Sequence, residues 1–151
     1  MDFMSLAMEQ AVQAGEADEV PVGAVLVDPT GTVIASAGNQ MRRLNDPTAH
    51  AEILVIRQAA DILGSERLIA CDLYVTLEPC TMCAGAIAHA RIKRLYYGAS
   101  DPKTGAVDSG VQFFDRPSCH HRPEVYGGIG EARSSKLLRD FFEMRRNNQK
   151  I

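Results

Sequence analysis

The chain of 151 residues is 46% hydrophobic and 23% charged, with 4 cysteines, which is the size and composition of one globular domain, residues 1–151, with a core of its own. That balance excludes collagen-like, disordered and disulfide-scaffold proteins. A formal net charge of −3 excludes a protein that coats nucleic acid through bulk electrostatics.

The first twenty residues carry five acids and no Lys or Arg, unlike the basic start of a signal peptide or the Arg-rich composition of a transit peptide. Within them, Leu6, Ala7, Ala11 and Ala14 recur at helical spacing and predict a first helix over Ser5–Ala14, with Gly15 as its C-terminal cap. Val20, Val22, Ala24–Val27 and Val33–Ala37 are short β-branched runs, and Asp28-Pro29-Thr30-Gly31 between them marks the turn of an antiparallel hairpin. A polar loop follows over Asn39–Thr48, and then AEILVIRQAADILG places Ile53, Ile56, Ala60 and Leu63 on one helical face with Gly64 as the stop. Leu73–Thr76 reads as a buried strand. Pro79 suits the first turn of a helix that continues through Ala84–Ala90, and Leu95–Gly98 is the next strand, so the two strands form a parallel pair joined by a helical crossover. Gly105–Phe114 carries no clear period, Glu124–Tyr126 is a short fifth strand, and Ser134–Arg146 is a closing helix. The expected architecture is α/β, with about five strands in a mixed sheet and helices on both faces.

No apolar run approaches the roughly 20 residues of a membrane span, so the expectation is a soluble, cytoplasmic protein with reduced cysteines and no membrane partner. Residues 133–150 hold Arg133, Lys136, Arg139, Arg145, Arg146 and Lys150 against Asp140 and Glu143. This basic end reads either as a solvated helix face or as a patch that contacts phosphates.

The chemistry is concentrated at two predicted helix entries. His50-Ala51-Glu52 opens one, and Pro79-Cys80-Thr81-Met82-Cys83 opens the other. One His and two Cys are three N/S ligands for Zn²⁺, one ion per chain, with a fourth position left for water. Cys80 and Cys83 are i and i+3 and point the same way on a helix, where the N-terminal dipole favours thiolate. His50 and Glu52 are i and i+2, about 200° apart on an ideal helix, and converge only where the helix entry is irregular. Glu52 would then take a proton from the bound water and hand it to a leaving group. Alone, a CxxC also fits a redox pair, a His at a helix start fits a cap, and a Glu in a first turn fits a dipole partner. Cys119-His120-His121 is a second candidate metal cluster; otherwise Cys71 and Cys119 read as structural thiols.

H-x-E followed by P-C-x-x-C resembles the zinc-dependent cytidine deaminase superfamily. The stretches PVGAV, DPTAHAEI, LYVTLEPCTMCAG, YGASDPKTGA and DFFEMRR are similar, over nearly the whole chain, to the bacterial tRNA-specific adenosine deaminases within it. The resemblance implies a three-layer α/β/α cytidine-deaminase-like fold and hydrolytic deamination of adenosine to inosine at the wobble position of a tRNA anticodon. It implies zinc on His50, Cys80 and Cys83, Glu52 as the proton shuttle, and a zinc-bound hydroxide that attacks C6 of adenine. It also implies that Asn39, Val22 and Pro47 shape the nucleoside pocket and that Asp101, Lys103, Phe141 and Arg145 meet the RNA, as phosphate contacts or a stacking ring. The implied partners are an anticodon stem-loop, arginine tRNA foremost, and a second copy of the chain in a homodimer. Two alternatives share the scaffold: a deaminase of free bases or nucleotides, and a zinc-stabilised binding module. The chain departs from the family in Ala106-Val107-Asp108-Ser109-Gly110, where an acid stands in place of the more usual Gly-Ser; this puts that loop's RNA contacts in question.

Overall fold

A computed structural model describes residues 2–149, of Gln149 the backbone alone; Lys150, counted above in the basic end, lies outside the described residues. The first helix, α1, runs over Phe3–Glu16 and is capped by the Asp2 carboxylate on the Ser5 N–H. It passes through Gly15, contrary to expectation. The chain turns later, because Ala17 closes the last helical turn and Asp18 takes the left-handed conformation (φ 66°), with the Glu19 N–H returning to the Ala14 carbonyl.

Strands β1 (Gly23–Val27) and β2 (Val33–Gly38) form the expected antiparallel hairpin. Asp28 builds its turn by accepting the N–H groups of Thr30 and Thr32. A one-turn helix, α2 (Met41–Leu44), interrupts the predicted polar loop, and α3 (Ala51–Leu63) ends at Gly64 in the left-handed conformation as expected. Strand β3 (Asp72–Leu77), helix α4 (Thr81–Ala90) and strand β4 (Arg94–Ala99) make the parallel crossover. Here Pro79 lies just outside the helix instead of in its first turn, since Cys80 is the extended N-cap residue. Strand β5 (Glu124–Tyr126) pairs parallel to β4, and α5 (Glu131–Gln149) closes the chain. The segment that showed no period is a loop ending in a 3₁₀ turn over Phe113–Asp115.

The sheet order is β2-β1-β3-β4-β5. Alternation along the strands divides the core between two faces. Ala24, Leu26, Leu73, Val75 and Leu95 pack with Ala51, Val55 and Ala59 of α3 and with Ala84, Ile87 and Ala88 of α4. Val25 and Val27 instead meet Met4 and Ala7 of α1, and α5 lies beside α1 against β4. The three layers are therefore α1 with α5, the sheet, and α3 with α4.

Close approach of α1 depends on Gly23: a Cβ there would fall on the Ala7 carbonyl oxygen and lie 2.5 Å from the Ala11 nitrogen. Backbone of this kind cannot rotate aside. Gly23→Ala is expected to destabilise the protein by about 1–3 kcal/mol, measured as a lower urea midpoint at unchanged m-value; an unaltered midpoint would contradict this packing.

Candidate active site

Two helix entries meet at the end of the sheet where β3 and β4 finish. His50 is the N-cap of α3, extended at φ −70° and ψ 152°, and its side chain makes no cap hydrogen bond. It is free to point sideways. Cys80 holds the same place on α4, and Cys83 follows one turn later. His50 Nδ1 lies 3.7 Å from Cys80 Sγ and 3.5 Å from Cys83 Sγ, and the three ligand atoms lie within 4.8 Å of one another. Tetrahedral zinc, with Zn–S of about 2.3 Å and Zn–N of about 2.0–2.1 Å, requires N and S about 3.5–3.6 Å apart. The donor set fits the ion in both chemistry and spacing.

The N-cap position also resolves the i, i+2 problem. His50 is outside the helical twist and Glu52 is inside it, so both side chains line the same cavity of about 870 Å³. Glu52 is 4% exposed, and burial pushes its carboxyl above the ordinary range. Without metal, the two thiols and the imidazole share protons: the Cys83 hydrogen bond lowers Cys80 to about 4 against its burial, while that bond and burial raise Cys83. The hydrogen bond to Cys80 raises His50. A Cys80 whose thiolate form is favoured, next to His50 and Cys83, gives a divalent cation an anionic ligand.

Asn39 has a definite structural task. Its Nδ2 donates to the Val20 carbonyl (3.1 Å) and its Oδ1 accepts the Ala51 N–H (2.8 Å), so it caps α3 from a distance in place of the His50 side chain. Val22 and Asn39 both line the cavity, whereas Pro47 is not among its walls. Asp101 and Lys103 line it too, on the loop after β4. The Asp101 carboxylate holds that loop's own turn, accepting the Lys103 N–H and the Thr104 N–H and hydroxyl. On α5, Arg145 donates to the carbonyl and carboxylate of Asp18, both at 2.9 Å, and lies 4.8 Å over the Phe141 ring. Phe142 and Arg146 line the cavity beside it, and Phe141 does not.

Several residues at the site were not singled out from sequence. Phe142 sits in the quoted DFFEMRR stretch, but helical periodicity does not say which of two adjacent rings faces the cavity; Arg146 belongs to the basic end already named. Glu19 and Glu78 are buried acids, 1% and 2% exposed. Glu19 accepts the N–H groups of Arg42 and Arg43 and so caps α2, for which Gln40 offers no side-chain bond. An acid in a loop gives no sequence signal of that work. Among the described residues His50, Cys80 and Cys83 are the one such metal-ligating group. Cys119 instead donates to the His121 carbonyl, and the His121 ring is 2.7 Å from the Ile92 carbonyl, so the second candidate cluster is a tether.

Residues 1–99 match the family model of the cytidine and deoxycytidylate deaminase zinc-binding region. The chain is 64% identical over 144 residues, 95% of its length and 94% of the other, to a tRNA-specific adenosine deaminase of Agrobacterium fabrum.

This chain belongs to that zinc-binding deaminase family, in its tRNA-specific adenosine deaminase branch.

A tRNA-specific adenosine deaminase of Haemophilus influenzae is 49% identical over 149 residues, covering 99% of this chain and 86% of that protein. A solved structure from work on A-to-I editing by tRNA:A34 deaminases at the wobble position of transfer RNA superposes with a TM-score of 0.89 at 65% identity. It covers 90% of this chain and 98% of that one. For this deaminase the α/β fold and the zinc cofactor expected from sequence both stand.

Removing the remote cap tests the site's frame. Asn39→Ala leaves the Ala51 N–H without a partner, while the Val20 carbonyl keeps the Val22 N–H, and is expected to cost about 1–3 kcal/mol. A denaturation midpoint equal to the unsubstituted protein's would show that the cap is dispensable.

Proposed function

We propose that this deaminase hydrolyses adenosine to inosine at the wobble position of a tRNA anticodon, with residues 1–151 as one catalytic domain. The observation that carries the reading is the convergence of His50, Cys80 and Cys83 beside buried Glu52, at a cavity whose walls include His50, Cys80, Glu52, Lys103, Arg145 and Arg146. His50, Cys80 and Cys83 would hold zinc, which when bound supplies the Lewis acidity that brings the pKa of water toward about 7.

Glu52 carries the protons. Its burial favours the neutral acid, so a carboxylate that accepts a proton from water holds it until a basic atom is presented. N1 of adenine takes that proton as the water oxygen adds to C6. Glu52 then takes the proton of the new C6 hydroxyl and delivers it to the exocyclic nitrogen; the C6–N bond breaks as the C6=O bond forms, and ammonia leaves with inosine behind. Asn39 and Val22 shape the wall around the base. The wobble base is unpaired, so turning it into the cavity costs less than extracting one from a duplex.

Lys103 and Arg146 would meet phosphates and Phe142 would offer a ring for stacking, while Arg145 packs on Phe141 and pairs with Asp18 to hold the helix in place. The same reading assigns arginine tRNA as the substrate, a homodimer as the working unit and the cytoplasm as its place. Among the described residues no helix is long and apolar enough to cross a membrane. A transcript of arginine tRNA with A at the wobble position, assayed beside free adenosine and cytidine, decides the substrate. Inosine in the tRNA alone supports the reading; deamination of the free nucleosides alone overturns it in favour of a small-molecule deaminase, and no product from zinc-loaded protein points to a binding module.

Glu52→Gln preserves shape and removes the proton acceptor. It is expected to leave one zinc per chain while inosine formation falls by about 10²–10⁴-fold; metal lost with turnover retained would contradict the assignment. Arg146→Ala is expected to weaken tRNA binding and to make the slope of log K against log salt shallower by about 0.7–0.9. An unchanged slope returns this residue to a solvated helix face.

A further inference from the structure

Glu78 directly follows β3, two residues before a zinc ligand, with its carboxylate turned into the loop that follows β4. Its Oε1 accepts the Asp101 N–H and the Ser109 hydroxyl, both at 2.9 Å. Its Oε2 accepts three successive backbone N–H groups, those of Val107 (3.0 Å), Asp108 (3.0 Å) and Ser109 (2.9 Å). Successive N–H groups pointing inward make an anion-binding concavity, and here a side chain of the protein fills it. A carboxylate offers about four lone-pair sites. Five donors saturate it, so Glu78 has no acceptor left for substrate.

The loop is pressed onto this carboxylate without slack. A Cβ at Gly105 would lie 2.5 Å from Glu78 Cδ and 2.5 Å from the Asp101 carbonyl oxygen. The next residue, Ala106, donates to the Pro79 carbonyl at 2.9 Å, and Gly105 forms an isolated bridge with Cys80 itself. Tyr97, buried beneath, donates its hydroxyl to Asp108, which gives the family-atypical acid a structural partner. One buried side chain thus joins the turn that carries Cys80 to the loop that carries Asp101, Lys103 and Thr104 into the cavity wall.

We infer that Glu78 is a positioning residue for the tRNA: it sets the height of the Asp101–Thr104 arm above the zinc-ligand turn and so governs substrate engagement more than the chemical step. The inference rests on the proposed tRNA deamination. Its test exploits the asymmetry of the two oxygens. Glutamine keeps one acceptor corner, the three N–H groups at Oε2 compete for it best, and the amide nitrogen is then driven against the Asp101 N–H.

Zinc-loaded Glu78→Gln, assayed on an anticodon stem-loop with A at the wobble position, is expected to keep one zinc per chain and a kcat within about threefold. KM should rise by about tenfold or more. Hydrogen exchange at the Asp101 amide should quicken by about tenfold while the Ser109 amide stays protected. If that variant fails to fold or to hold zinc, Ser109→Ala, which removes only one donor from Oε1, decides. A smaller rise in KM at constant kcat supports the inference, and an unchanged KM overturns it. A fall in kcat at constant KM in either variant also overturns it, because it places the effect in the chemistry. Wild-type protein that leaves the stem-loop unedited overturns the deaminase reading and this inference with it; wild-type turnover with Glu78→Gln at the wild-type KM overturns this inference alone.

Discussion

The meeting of His50 Nδ1 with the two sulfurs of Cys80 and Cys83, at 3.5–3.7 Å, is the constraint on which the rest of the molecule depends. It requires two helices to begin at nearly the same point, and helix beginnings resist burial because each leaves N–H groups without partners. The chain meets that cost locally. Asn39 reaches in from the end of β2 to take the Ala51 N–H, which releases the His50 side chain from capping. The Cys80 position brings a thiol to the positive end of α4, where thiolate is favoured. Small side chains then let the helices lie near enough for the ligands to converge: Ala51 and Ala59 on α3 and Ala84 and Ala88 on α4 are all buried against the sheet. A zinc site of this kind is a property of the packed layers before it is a property of three residues.

What was legible in the sequence follows the range of the interaction responsible. The hairpin, α3 with its Gly64 stop and the parallel crossover depend on period and on turn residues within a few positions of one another, and they stand where patterning put them. The ligand set was legible because ligand type and i, i+3 spacing are local. Gly15 misled because glycine permits a left-handed cap without requiring one; the helix gained two more residues and Asp18 took the positive φ. The turn of α2 was illegible because its cap, Glu19, is more than twenty residues away. The loop of Gly105–Phe114 showed no period for the same reason: its hydrogen bonds run to a carboxylate at position 78 and not along its own backbone. Adjacent phenylalanines at 141 and 142 differ by about 100° on the helix, and only the packing of Arg145 on the first ring decides that the second faces the cavity.

Charge in this protein is divided by place, which reconciles an acidic chain with a polyanionic substrate. Asp18, Glu19 and Glu78 are engaged, Asp18 at the surface with Arg42 and Arg145, Glu19 and Glu78 in the interior with the α2 amides and the 101–109 loop. None of the three is left as a free negative charge facing the cavity. Asp101 is likewise occupied by its own turn. Of the cations on the cavity wall, Arg145 is paired with Asp18, which leaves Lys103 and Arg146 as the positive groups offered to a polyanion although the whole chain is acidic.

That division bears on substrate choice. A cavity of about 870 Å³ lies near the upper end of the range of about 300–1,000 Å³ for pockets that bury a whole drug-sized ligand, so on the proposed function a single base would occupy its floor and leave room above. The floor supplies the chemistry, through the ligand triad and Glu52. Lys103, Arg146 and the Phe142 ring stand in its walls, groups that on the proposed function would serve phosphates and neighbouring bases. Discrimination against small molecules then needs no contact with the reacting ring. On the proposed function, binding energy gathered at the rim would be available only to a polynucleotide and would offset the cost of unstacking the base and seating it against Glu52. The loop held by Glu78 and the helix held by Asp18 matter for this reason: they are the two supports that keep the rim at a fixed distance from the metal ligands, and rim contacts assist catalysis only when that distance does not give.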